Sequence, residues 1–479
     1  MIMLFSSMTF LFVFLPLVIA FYYLCRRELR NYVLLGASVI FYAWGEPKYF
    51  LVMMLIVAVN YFSALLMDRF RFLGKLFVTL AILTDFGVLG YFKYTNFLIE
   101  NLNLLFHNAI DPIQVIMPIG ISFYIFQSVS YLIDVYRRET PAQRDFYKLF
   151  LFISLFPQLI AGPIIKYHDI ARQIDHREFE FEHFAYGVKR FIIGLTKKML
   201  IANVMGAVAD RFFEANGFHY PFWMTWVGAL AYTFQIYYDF SGYSDMAIGL
   251  GAIFGFRFLE NFNYPYISRT ITEFWRRWHI SLSTWFKEYL YIPLGGNRVS
   301  KGRNLFNLFV VFVATGVWHG ASWNFVVWGL WHGFFIILEK LTGLHKREFG
   351  FAGRCCCHAY TVLVFIFGWV LFRADTLTDA CLYMKRMIGL DRNSQVLVHW
   401  MLYLSLEEMV VFAIAFLCSF PLFRNLIMCP AEGEGEAEFA GRQKIRKVLP
   451  VNLWLIVLFV LSVTRIATTT YNPFIYFRF

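Results

Sequence analysis

Two histidines are the first candidates for chemistry. His319 lies in the stretch 315–333, TGVWHGASWNFVVWGLWHG, with strongly apolar residues around it. An ionisable group at membrane depth is costly and normally faces a cavity or a partner. Gly316, Gly320, Ala321 and Ser322 allow close backbone approach or a helix break beside it. Irregular backbone is tolerated at depth only where it lines protein or water. The residues alone leave two readings open, a functional imidazole and a hydrogen-bonded structural one. His332 follows in the same stretch; on a continuous helix it would lie roughly 20 Å away. It reads as a packing histidine that shares no site with His319.

The second histidine, His279, sits in the stretch 272–298, TEFWRRWHISLSTWFKEYLYIPLGGNR. Aromatic residues alternate there with Glu273, Arg276, Arg277, Lys287 and Glu288. That mix is too polar to cross lipid bare and suits an amphipathic helix at a membrane interface. One reading is an interfacial belt in which Trp and Tyr anchor and Arg snorkels. The other is a surface where Arg276 or Arg277 receives an anionic donor. A third stretch, 237–249, places Asp239 and Asp245 around Ser241, Gly242 and Ser244. It reads as a polar kink on a tunnel, a hard-cation site, or a structural break capped by Ser and Asp. Among the usual chemical signatures, GxSxG, HExxH, Walker A and GxGxxG contexts do not occur, so hydrolase, zinc-protease and nucleotide-motor readings lose support. Cys355, Cys356 and Cys357 are consecutive and beside His358, but neighbours on one helix point in different directions and do not converge on a metal. No metal site and no disulfide framework is expected.

These candidates need a scaffold, and composition indicates which kind. Of 479 residues 59% are apolar, 20% aromatic and 16% charged, with mean hydropathy +0.56. Average soluble usage is roughly 45–50% apolar and about 25% charged. A soluble enzyme, a disordered chain and a small disulfide scaffold are excluded. The net charge of +11 sits in short basic clusters between apolar runs, as in the loops of membrane proteins, and nucleic acid is not an expected partner. The N-terminal run 2–24 lacks a basic n-region and a cleavage site, and reads as a retained span rather than a signal peptide. Basic loops at Arg26–Arg30 and Arg69–Lys75, separated by two apolar runs, are expected in the cytoplasm, with the N-terminus outside.

Apolar runs recur as far as 451–463, and about 10–13 spans are expected, some re-entrant. The fold class is therefore all-α: a polytopic multi-helix bundle with re-entrant and interfacial helices around a central tunnel. It forms one membrane domain, 1–479. Residues 166–190 read as a polar loop with short helices, and 430–446 as a flexible acidic linker.

Three motifs together, RRWHISLSTWFKEYLYIPLGGNR, VWHGASWNFVVWGLWHG and the tail YNPFIYFRF, resemble the membrane-bound O-acyltransferase family, in particular its bacterial alginate O-acetylase branch. The N-terminal pattern FLFVFLPLV…RNYVLLGASVIFYAWGEPKYF and the middle stretch YYDFSGYSDMAIGLG are similar too. The likeness runs from the first span to the last residue, apart from loops at 340–359 and 430–446. The resemblance implies a membrane enzyme with a polar tunnel and a catalytic histidine deep within it, which falls on His319. The branch's second histidine falls on His279. Asp239, Ser241, Asp245, Arg276 and Asn324 fall among tunnel or donor-site residues, with Arg277 beside them.

Acyl transfer to an alcohol needs a base for the hydroxyl proton, and a neutral imidazole in apolar surroundings suits that step. His319 is the expected base; an acyl-imidazole on it is the alternative. His279 would orient the donor, bond the developing oxyanion or relay the proton. The expected reaction moves acetyl from a cytosolic donor, most simply acetyl-CoA, to an exported polysaccharide, with membrane lipids around the enzyme and a periplasmic acetyltransferase partner beside it. No bound cofactor is expected. Alternatives are D-alanyl transfer from an acyl-carrier protein, a transporter, and a membrane scaffold.

Overall fold

The structure, a computed structural model, describes residues 3–107, 110–111, 113–214, 222–390, 404–423 and 445–475. It is helical, with no strand among the described residues. The N-terminal half holds α1 (Leu15–Leu24), α2 (Arg30–Gly45), α3 (Pro47–Arg69), α4 (Gly74–Phe106) and α5 (Ile121–Arg137). Three shorter helices follow, α6 (Phe146–Ser154), α7 (Phe156–Leu159) and α8 (Tyr167–Asp175). The centre is α9 (Phe181–Thr196), α10 (Asn203–Glu214) and the long α11 (Phe222–Ile253). The site region adds α12 (Ile271–Arg277), α13 (Ile280–Phe286), α14 (Lys301–His319) and α15 (Trp323–Thr342). The described chain closes with α16 (Phe351–Arg373), α17 (Leu377–Met387), α18 (Leu406–Cys418) and α19 (Ile445–Thr468). The acidic segment 430–446 lies outside the described residues except for the first two backbone positions of α19.

Among the described residues, six helical stretches are long and apolar enough to cross a membrane, where hydropathy alone predicts 10–13. The difference comes in part from length, since α5 has 17 residues and α6 has 9, and in part from enclosure. Helices α5, α6 and α11 are wrapped by other helices, and most of their residues are buried. A helix enclosed by protein can keep polar residues that a lipid-facing one cannot.

Contacts gather the basic loops at one end. Asn31 bonds Arg177 and Ile174, Lys148 pairs with Asp145 and Asp175, and Arg144 pairs with Asp68. The turn after α13 joins the same end, where Lys166 meets Glu288 at 2.9 Å.

Two backbone-to-backbone crossings set the geometry of the interior. Helices α9 and α11 meet at Gly194 and Gly242, where a Cβ added to either would fall 2.5 Å and 2.8 Å, respectively, from the other glycine's carbonyl oxygen. Helices α14 and α15 meet at Gly316 and Gly329, where a Cβ would be 2.4 Å from Phe325 O and Phe312 O respectively. Small residues allow such approach, and dispersion over the closed gap then stabilises the pair.

The stretch 237–249 is not a break. Helix α11 runs unbroken through it, so of the three readings the structural break around Asp239, Ser241 and Asp245 is corrected. The stretch 272–298 is not one interfacial helix either. It is two short helices separated at Trp278 and His279, followed by a π-turn, Lys287–Tyr291. Phe274, Trp275, Trp278, His279, Trp285 and Tyr289 are buried in protein rather than laid against headgroups.

Candidate active site

Helix α14 ends at His319, Gly320 is extended, and α15 restarts at Trp323 with Ser322 as its N-cap. The expected break beside His319 is present, and it turns the chain back on itself. His332 therefore does not lie a helix-length away. Both imidazoles pack edge-on against Trp328, His319 at 4.8 Å between ring centroids and His332 at 5.2 Å. His332 is fully buried between Trp275 and Trp328, and neither ring nitrogen has a partner among the described residues. The premise of a continuous helix is corrected, while the packing environment of His332 is plain.

His319 is buried and faces a cavity of about 10 Å³, lined also by Phe240, Trp278, Trp328, Phe372 and Ile475. That is room for about one water. The second histidine is close by: His279 and His319 both stand edge-on to the Trp318 ring, at 6.2 Å and 4.9 Å.

Local backbone explains why His279 is where it is. It separates α12 from α13 in the left-handed region, φ 45°, which costs energy for a residue with a Cβ. Asn261 holds the turn. Its Oδ1 accepts from Ser281 N at 3.1 Å and from Ser281 Oγ at 3.0 Å, and its main-chain oxygen accepts from Ile280 N. The same Oδ1 lies 3.2 Å from His279 Nδ1. The backbone donor fixes which end of the amide is oxygen, and an oxygen there can only accept. His279 Nδ1 therefore carries the proton and Nε2 keeps its lone pair. His279 Nε2 is buried without a partner among the described residues.

Asp239 and Asp245 are buried, and each is paired with a basic side chain. Among the described residues no group of three or more His, Cys, Asp or Glu converges for a metal. Asp245 pairs with Arg190 and Lys197, each at 2.6 Å, and Arg190 also pairs with Glu260. Asp239 pairs with Lys198 at 2.7 Å and accepts from Ile475 N at 2.9 Å. Both lysines sit on a π-turn, Lys197–Ala202, between α9 and α10. Lys198 also donates to Pro473 O. Asp239 thus ties the segment 471–475 against the cavity that His319 faces. Ser241 is buried with no partner for Oγ among the described residues.

The remaining candidates lie elsewhere. Asn324 donates to Ala374 O at 2.7 Å and fastens the start of α15. Arg277 pairs with Glu273 and donates to Asn263 O. Arg276 opens onto a cleft of about 600 Å³ that also bears Arg269, Arg347, Arg354 and His345, with the carboxylates Glu273 and Glu348. The buried Glu339 on α15 fixes one wall by accepting from Ile271 N, Thr272 N and Thr272 Oγ1.

Sequence reasoning passed over Asn261, Lys93 and the role of Lys198. An asparagine in a polar loop gives no signal. Lys93 does give one, as a lone cation at the end of an apolar run.

Comparison with known proteins bears on what this arrangement does. The family model of MBOAT, the membrane-bound O-acyltransferase family, matches residues 136–377. A protein of Pseudomonas putida named probable alginate O-acetylase AlgI is 40% identical over the full length of both chains. The chain belongs to the membrane-bound O-acyltransferase family. It is an O-acyltransferase and a multi-pass membrane protein. Two further relatives carry other names. A Helicobacter pylori protein named peptidoglycan O-acetyltransferase is 36% identical, covering 81% of this chain and 80% of its own. A Bacillus subtilis protein named teichoic acid D-alanyltransferase is 29% identical over 46% of this chain and 58% of its own.

Proposed function

We propose that this O-acyltransferase moves acetyl from a cytosolic donor, acetyl-CoA, toward a hydroxyl of an exported polysaccharide, with His319 as the base. The observation that carries the reading is the buried His319 imidazole at the end of α14, facing a small cavity. The full-length relatives named for alginate O-acetylation support acetyl and a polysaccharide. The relative named for D-alanyl transfer covers less than half of this chain, so a carrier-protein donor is the second reading.

In this mechanism the acceptor oxygen attacks the thioester carbonyl while His319 takes its proton. The tetrahedral intermediate then collapses, the C–S bond breaks, and the leaving thiolate recovers that proton from the imidazolium. The Nε2 lone pair of His279 is suited to relay a proton or to hold a water. The Arg276 cleft is suited to the phosphates of the donor, since guanidinium groups form charge-assisted bonds with phosphate oxygens. A periplasmic acetyltransferase partner would receive the group where the polymer is not acylated directly.

The test is transfer from labelled acetyl-CoA in membranes carrying His319→Ala, normalised to protein amount. Loss of a general base lowers the rate about 10²–10⁴-fold. A parental rate in that variant ends the assignment and favours the transporter or scaffold reading. A labelled D-alanyl carrier protein that serves where acetyl-CoA does not would favour the second reading.

A further inference from the structure

Helix α14 ends at His319, so its last carbonyls have no partner within the helix. A helix end at membrane depth must find donors elsewhere. They come from α4, more than two hundred residues earlier in the chain. Lys93 Nζ donates to Trp318 O at 2.5 Å and to His319 O at 3.2 Å, and lies 3.4 Å from Ser122 Oγ. The next residue, Tyr94, donates its hydroxyl to Val317 O. Three successive carbonyls at the end of the His319 helix are thus held by two successive residues of α4. The ammonium also stands 5.7 Å from the centre of the Trp318 ring, against which both His279 and His319 pack.

The charge is placed with purpose in electrostatic terms. A cation is favoured at a helix C-terminus, where the carbonyl dipoles converge. No carboxylate is recorded within ion-pair distance of Lys93 among the described residues. Carbonyls and a hydroxyl are its recorded partners. Lys93 also lies outside the segment that matches the family model, residues 136–377.

We infer that Lys93 is a positioning residue for His319: its ammonium caps α14 and fixes where the imidazole stands in the cavity. This rests on His319 being the base. A histidine on the last residue of a helix is held by its backbone on one side only, because Gly320 is extended and leaves the helix. Without the cap the last turn frays, and the imidazole moves relative to the reacting carbon. A displacement of about 1 Å costs on the order of 10²-fold in rate.

The experiment compares Lys93→Met, Lys93→Gln and Lys93→Arg in membranes with labelled acetyl-CoA, each normalised to folded protein. The expected result is a kcat reduced about ten- to a hundred-fold in Lys93→Met and Lys93→Gln, with KM for acetyl-CoA within about twofold, as expected for misplacement of a catalytic group rather than loss of donor binding. Lys93→Arg keeps a cation over the same carbonyls and recovers most of the rate. Parental kcat in Lys93→Met or Lys93→Gln overturns the inference, as does an equal loss in Lys93→Arg. If neither neutral variant accumulates, the ammonium serves the fold as a whole and the inference also fails. His319→Ala separates this result from the reading beneath it. An active His319→Ala removes the base, whereas an inactive His319→Ala beside a fully active Lys93→Met removes only the role of Lys93.

Discussion

Lys198 and Asp239 form an ion pair 2.7 Å long between two elements of the interior, and both residues also grip the segment 471–475. Removing one partner of a buried pair leaves an unpaired charge and costs about 3–5 kcal/mol, whereas replacing both with apolar residues is often nearly neutral. Lys198→Met and Asp239→Leu alone should therefore each lower the melting temperature in detergent far more than the double variant does. The double variant should still lose activity, because Ile475 N has lost its acceptor. Additive losses of stability would show that the pair contributes nothing as a pair.

Asn261 sets the tautomer of His279 and the turn that carries it. Asn261→Ala should reduce kcat about as much as His279→Ala, and by less than the about 10²–10⁴-fold that a general base contributes, because water replaces an orienting or relay role in part. The double variant should be no worse than the poorer single one, since residues acting as a unit are not additive. The measurement is the rate cycle of the four proteins; independent, multiplying effects would separate the two residues.

The two arginines of RRWH should behave differently. Arg276→Gln combined with Arg347→Gln should raise KM for acetyl-CoA several-fold with kcat little changed, because both side chains open on the cleft. Arg277→Gln breaks the contacts to Glu273 and Asn263 and should lower protein amount rather than donor affinity. Unchanged saturation in the Arg276/Arg347 double variant would remove the cleft from the donor path.

Orientation in the membrane is open to a direct measurement. Lys75→Cys lies at the end that gathers the basic loops, and Leu104→Cys is exposed near the far end of α4. An impermeant thiol reagent applied to intact cells should label Leu104→Cys and not Lys75→Cys, as the positive-inside rule requires. The reverse pattern would invert the topology and, with it, the side from which the donor arrives.

The break beside His319 was legible because it is local: Gly320 leaves the helix and Ser322 caps the next one, accepting from Asn324 N. The histidine pair was legible through motifs, but the meeting of His319 and His332 at Trp328 was not. It depends on the hairpin closing at Gly316 and Gly329, which is a tertiary contact. The stretch 237–249 misled for the same reason. Ser, Gly and Asp are poor in isolated helices. Here Gly242 admits α9, and Arg190, Lys197 and Lys198 neutralise the two aspartates. The stretch 272–298 was read as interfacial from its aromatic and basic mixture. The fold instead buries its aromatic side and turns the chain at His279, a left-handed position that composition does not mark.

The grip on the segment 471–475 has a consequence for how the protein is made. Asp239 meets its backbone donor 236 residues further along the chain. Domains form largely in the order in which they leave the ribosome. In the last part of synthesis, then, the helices around His319 have been made while one wall of the pocket does not yet exist. A stop after Phe372 and before Ile475 leaves a chain that holds every helix around His319 yet lacks one wall of its own pocket.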